Sequence, residues 1–127
     1  MDDLNRSAFY AGVLVIMAVA LALNTAFRRM ETKNALGGDD DTLVKRSRAF
    51  GNLVEHAPLM IILLILMEYG GSEFLVHIFG IGFILSRIAH AYGLIAEEGM
   101  GPDNMPRMIG ALGSWSIMRL ASLVCIF

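Results

Sequence analysis

Four apolar stretches, each about twenty residues long, take up most of this 127-residue chain, and they leave it few ways to fold. A run of about 20 apolar residues crosses the roughly 30 Å hydrocarbon core of a bilayer as an α-helix. A helix also satisfies its own backbone groups where there is no water to do so. The spans read as about 7–27, 45–69, 74–96 and 107–127. The expected fold is all-α, an integral membrane bundle of four transmembrane helices forming one domain over 1–127, with no room for a separate soluble unit. The chain is 56% hydrophobic and 17% charged, more apolar and less charged than soluble domains are. A formal net charge of −2, with the basic residues beside apolar spans rather than in an aromatic-interleaved stripe, excludes nucleic acid as the expected partner.

The first span carries no charge from Ser7 to Phe27. Its leader, Met1 to Arg6, is net acidic and its apolar run is too long for a secretory signal, so a retained helix is expected. Arg28 to Thr42 reads as a solvated loop containing Gly37-Gly38 and Asp39-Asp40-Asp41, with Asp41 or Thr42 as the N-cap of the next helix. The second span has an unbroken apolar run only from Ala57 to Met67. Before it, Lys45, Arg48, Asn52 and Glu55 recur at three- and four-residue intervals, which gathers them on a helical stripe about 80° wide. One face is polar at that end, and the other can meet lipid. Pro58 lies inside the same helix and predicts a kink there.

Glu68 to Glu73 forms a tight turn with no Lys or Arg. The third span offers Gly80 and Gly82 as small surfaces for close helix approach and carries Arg87 and His90 one turn apart. Glu97 to Pro106 is a polar connection with Gly and Pro breakers, and the fourth span contains Arg119. Six basic residues flank the first loop and none lies in the second, so the first loop is expected in the cytoplasm with both termini outside. The lone Cys125 has no partner for an intramolecular disulfide and reads as a small buried hydrophobe.

Charges within a bilayer need a protein partner or water, since each costs roughly 2.5–3.5 kcal/mol on insertion scales. Glu55, Arg87 and His90 lie at similar depths, so they can meet, and a Glu55–Arg87 ion pair that only locks two helices is the bland alternative to a binding role. Arg119 is expected to snorkel outward or to pair with Glu68, Glu73 or the terminal carboxylate. His56, His77 and His90 are scattered without acidic or thiolate companions at ligand spacing, which argues against a metal site.

The stretch Arg48-Ala49-Phe50-Gly51-Asn52-Leu53-Val54-Glu55-His56-Ala57-Pro58 resembles the signature of the MAPEG family, the membrane-associated proteins of eicosanoid and glutathione metabolism. Ser86-Arg87-Ile88-Ala89-His90-Ala91-Tyr92-Gly93 resembles that family's third helix. The likeness is in particular to uncharacterised bacterial members, which implies the cell inner membrane. The resemblance implies a homotrimer in the lipid bilayer, with glutathione as co-substrate between neighbouring protomers. It implies Arg48, Asn52 and Glu55 as glutathione contacts, Arg87 and His90 as support, Arg28 or Arg29 as a basic residue lent by the adjacent protomer, and Arg107 as the residue that steers the thiol. Leu94 stands where characterised synthases place a tyrosine. The function implied is a glutathione-dependent membrane transferase or peroxidase acting on lipophilic small-molecule electrophiles; the alternative is a non-catalytic scaffold or complex subunit. A small drug or ion transporter is disfavoured because the first span has no carboxylate.

Overall fold

The computed structural model describes residues 5–36, 40–96 and 103–127. The expectations placed on Met1 to Leu4, on Gly37, Gly38 and Asp39, and on Glu97 to Pro102 lie outside the described residues. Four helices follow in order: α1 (Asn5–Thr32), α2 (Asp41–Tyr69), α3 (Glu73–Ile95) and α4 (Met105–Ile126). All four are long and apolar enough to cross a membrane, as the sequence predicted. Among the described residues there is no strand.

The ends of the helices differ from the sequence reading in ways their capping chemistry explains. α1 continues through Arg28, Arg29 and Glu31 to Thr32, so residues read as loop form its last turns. There Arg28 bridges to Glu31 three residues on, a helix-compatible spacing. The N-cap of α2 is Asp40, one residue before the two expected caps, and its carboxylate accepts from Leu43 N at 2.8 Å. α4 begins at Met105, so Pro106, read as a breaker, sits in its first turn, where a proline's missing N–H costs nothing. α2 runs through Pro58 as one helix.

The α2–α3 turn is a Schellman closure. Gly71 N donates to Glu68 O at 3.0 Å and Ser72 N to Met67 O at 2.9 Å, and Gly71 takes φ +82°, which glycine adopts without steric cost. Beside it the Glu68 side chain reaches back across the bundle. Its two oxygens accept from Arg6 N at 2.9 Å and Ser7 N at 2.7 Å, placing a carboxylate on the positive end of α1. Arg6 then bridges Glu68 and Glu73, joining α1, α2 and α3 at that end.

α3 packs most extensively on α4, and α1 packs on α2 and α3 without touching α4. Small residues set these distances. A Cβ on Gly80 would lie 2.7 Å from the Tyr10 ring of α1, and one on Gly82 would lie 2.9 Å from Ile117 of α4, so both expected glycines do permit close approach. Gly110 of α4 presses its backbone against Ser86 and His90 of α3, and Gly93 of α3 against Arg107 of α4. The apolar core runs through Tyr10, Leu14, Leu53, Met60, Leu64, Val76 and Phe83. Cys125 is exposed rather than buried, with Sγ 3.7 Å from Leu63 O of α2.

Candidate functional site

α2 and α3 cross near the end of the bundle that carries most of the basic residues, and there the buried guanidinium of Arg87 ties three helices together. Arg87 is 2% exposed. Its Nε donates to Ser114 Oγ at 2.8 Å, Nη2 to Gly110 O at 3.1 Å, and Nη1 to Asn52 Oδ1. The guanidinium carbon stands 5.8 Å from the centre of the Phe83 ring, within cation–π range. Ser114, fully buried, donates its own hydroxyl hydrogen bond to Gly110 O at 2.7 Å. The charge is therefore held by a neutral serine, an amide and a carbonyl, with all three nitrogens engaged.

The structure does not pair Glu55 with Arg87, the bland alternative for these two charges. Glu55 Oε1 instead lies 3.7 Å from Arg48 Nη1, two turns away on α2, and both side chains are 55% exposed. Asn52 sits between them and turns inward to Arg87, so the polar stripe divides: Asn52 faces the bundle, while Arg48 and Glu55 face out of it. His90 is buried on α3, with Arg87, Arg107, His56 and Arg48 within electrostatic reach.

Arg107 opens α4. Its backbone N donates to the N-cap Asn104 Oδ1 at 3.3 Å, and its Nη2 lies 3.9 Å from Met108 Sδ. Asn104 is buried and donates from Nδ2 to Gly93 O at 2.8 Å, so one side chain both caps α4 and satisfies a carbonyl near the end of α3. Arg28 is committed elsewhere: Nε and Nη2 form a two-pronged contact with Asp40 at 2.8 and 2.9 Å. That pairing holds the Asp40 carboxyl below the usual carboxylate range, helped by the Leu43 amide. Arg29 faces outward and lines a small hollow of about 130 Å³ with Ser47 and Arg48. Arg29 and Arg48 thus present charge on adjacent helices.

Sequence reasoning missed four members of this region. Ser114 follows Gly110 by one turn on the face of α4 that meets α3, a small-residue pattern that marks a helix interface. Asn104 two residues before Pro106 is a helix-start signal. Trp115 and His56 had no such marker: Trp115 Nε1 donates to His56 Nε2 at 3.1 Å, and His56 Nδ1 contacts Asn52 O at 2.7 Å, a relay from α4 to α2. Leu94 is buried at 4% and Tyr92, two residues earlier, is 54% exposed, lining an apolar cleft with Met17 and Leu21 of α1. Tyr92 therefore faces away from the Arg87 cluster. Among the described residues no group of three or more His, Cys, Asp or Glu is placed to hold a metal.

The sequence profile of the MAPEG family matches residues 7–127. Inner membrane protein YecN of Escherichia coli strain K12 is 35% identical over 89 residues, covering 68% of each chain. Its counterpart in Escherichia coli O6:H1 strain CFT073 matches to the same extent.

Proposed function

The chain belongs to the MAPEG family, and from that premise we propose that it is a glutathione-dependent membrane transferase or peroxidase acting on lipophilic electrophiles, working as a homotrimer. The observation that carries this reading is the outward pair Arg48 and Glu55, each 55% exposed on a membrane helix. A charge pair cannot rest against lipid tails without large cost. A second copy of the chain and a zwitterionic ligand would cover it.

Glutathione offers two carboxylates and one ammonium, and the face offers guanidinium and carboxylate to match. Arg48 takes a carboxylate, in the manner of charge-assisted contacts, and Glu55 takes the ammonium. Arg28 is engaged by Asp40, so Arg29 is the residue of that basic pair that a neighbouring protomer's ligand would meet. Asn52, Arg87 and His90 hold the floor of the site instead of reaching the ligand. Arg107 lies beside it as the cation that favours a thiolate, the nucleophilic form.

Leu94, apolar and buried, favours a second reading, a non-catalytic scaffold in which Arg48 and Glu55 neutralise each other across a protomer interface. Thermal unfolding in mild detergent with and without millimolar glutathione separates the two, together with conjugation of a generic aryl halide. A raised melting temperature and conjugate formation are expected. No shift and no conjugate in well-folded protein leaves the scaffold.

A further inference from the structure

Two glycines and one asparagine seat the start of α4 on the end of α3, and Arg107 is the residue they hold. A Cβ on Gly93 would lie 2.7 Å from Arg107 Cβ, 2.8 Å from its Cα and closer still to its N. One turn further along α4, a Cβ on Gly110 would lie 2.5 Å from Ser86 O and closer still to His90 N. His90 and Gly93 are three residues apart on α3, as are Arg107 and Gly110 on α4, so the two seats occupy successive turns. Backbone rests on the neighbouring helix at both, the close approach that small residues permit.

Asn104 closes the same joint. It is 5% exposed; its Nδ2 donates to Gly93 O at 2.8 Å and its Oδ1 accepts from Arg107 N at 3.3 Å. An N-cap side chain ordinarily serves the amide of the second or the third helical residue. Here the second is Pro106, which has no N–H, so the order Asn104-Met105-Pro106-Arg107 directs the cap to Arg107. One side chain therefore holds both the backbone of Arg107 and the carbonyl of the residue on which that backbone rests. Starting a helix requires only the first contact, which serine at the cap supplies as well. The second ties Arg107 to α3, the helix that carries Arg87 and His90.

We infer, on the glutathione reading above and as a deepening of it, that Asn104 is a positioning residue for that reaction: it fixes Arg107 on Gly93 so that the guanidinium stands where it favours the thiolate of bound glutathione. A cation's pull on a neighbouring thiol falls with distance, and a misplacement of about 1 Å can cost about a hundredfold in rate. Asn104 is uncharged, so a change that its replacement makes in the ionisation of bound glutathione passes through a charged neighbour.

Asn104→Ser separates the two contacts, because serine caps the helix but is too short to reach Gly93 O as well. The pH profile of kcat for conjugation of a generic aryl halide, and the ultraviolet absorbance of the bound thiolate, are read in wild type, Asn104→Ser, Arg107→Ala and the double variant. The wild-type midpoint should lie below that of a free thiol, about 8.5. Asn104→Ser should raise it towards that value and lower kcat at neutral pH by about tenfold or more, with glutathione affinity nearly unchanged. The double variant should match Arg107→Ala, since a residue that acts only through another adds no further loss. Gly93→Ala leaves Asn104 in place and displaces Arg107 directly, so it should raise the midpoint too, and it tests the joint if Asn104→Ser does not fold. A folded Asn104→Ser or Gly93→Ala whose profile coincides with wild type overturns the role of Asn104 and leaves the glutathione reading standing. Losses that add in the double variant do the same. Wild-type protein that forms neither thiolate nor conjugate overturns both together.

Discussion

Arg87 of α3 donates to Ser114 of α4 at 2.8 Å, and this contact joins the deepest cation of the bundle to its tightest helix pair. Ser114→Ala removes the acceptor of Nε without opening a path for water. We expect a loss of about 1.5–3 kcal/mol, the range for a hydrogen bond to a charged group, read as lowered thermal stability in detergent. Arg87→Met strips Asn52, Ser114 and Gly110 of their shared donor at once and should be the more damaging change.

Gly110 and Gly12 make a matched pair of tests. A Cβ at Gly110 would lie 2.6 Å from His90 Cβ and closer still to the backbone of α3, whereas one at Gly12 meets nothing within 4 Å. Gly110→Ala forces α3 and α4 apart and should cost at least the 1–3 kcal/mol typical of overpacking. Gly12→Ala should be neutral or stabilise by up to about 1 kcal/mol, since alanine is the better helix former. Parallel melts of the two variants check the contrast.

The Arg28–Asp40 contact predicts a pH dependence with a definite sign. Hydrogen bonding to Arg28, then to Leu43 N, lowers the Asp40 carboxyl in the folded state. A depressed carboxyl stabilises the fold above its unfolded value, about 3.9, and loses that contribution as pH falls through its lower folded value. Asp40→Asn should therefore melt below wild type from neutral pH down to about 4, and the gap should close under more acid conditions. A gap unchanged at acid pH would mean that the charge of Asp40 plays no part.

The four spans were legible because bilayer thickness imposes a length on any apolar helix, and Arg48, Asn52, Glu55, Arg87 and His90 were legible as polar residues that a membrane span cannot carry idly. Their partners were not. Periodicity places Asn52 and Glu55 on one stripe but cannot say that Asn52 turns to Arg87 while Glu55 turns to Arg48, because a 60° difference around the helix decides which one enters the bundle. Helix ends failed for a related reason: Asp40, Asp41 and Thr42 are all good caps, and the choice of Asp40 rests on its contact with Arg28, twelve residues back and invisible to local rules. Cys125 misled because its expected burial came from the habits of soluble cores, whereas the side chains of the last turn of α4 are exposed, Leu123, Val124 and Ile126 among them.

Charge predicts an orientation, since cytoplasmic flanks collect Lys and Arg and here Arg28, Arg29, Lys33, Lys45, Arg46 and Arg48 cluster at the ends of α1 and α2 around their connection. Leu36 is 99% exposed beside that connection, and Ser72 makes no side-chain capping bond in the opposite turn. In a Cys125→Ser background, Leu36→Cys should react with an impermeant thiol reagent only after the membrane is opened, and Ser72→Cys should react in intact cells. Equal labelling of both from one side would refute the four-span topology.

Arg107 and Glu55 should separate chemistry from binding. Arg107→Ala keeps the backbone contacts that Arg107 makes with Gly93 and Asn104, so α4 still docks and the loss falls on the guanidinium. A free thiol ionises near 8.5, and a cation beside it in a partly dry site shifts the balance towards thiolate. The variant should therefore lose turnover while retaining most of its affinity for glutathione. Glu55→Gln removes the ligand for an ammonium and frees Arg48 from its partner; it should weaken glutathione binding by roughly 1.5–3 kcal/mol, with Arg48→Ala behaving alike. Calorimetric titration of glutathione set beside the conjugation rate reads both quantities on the same preparations. If Glu55→Gln and Arg48→Ala instead leave binding intact and lower the assembly's mass, the pair is an interface clamp and the ligand lies elsewhere.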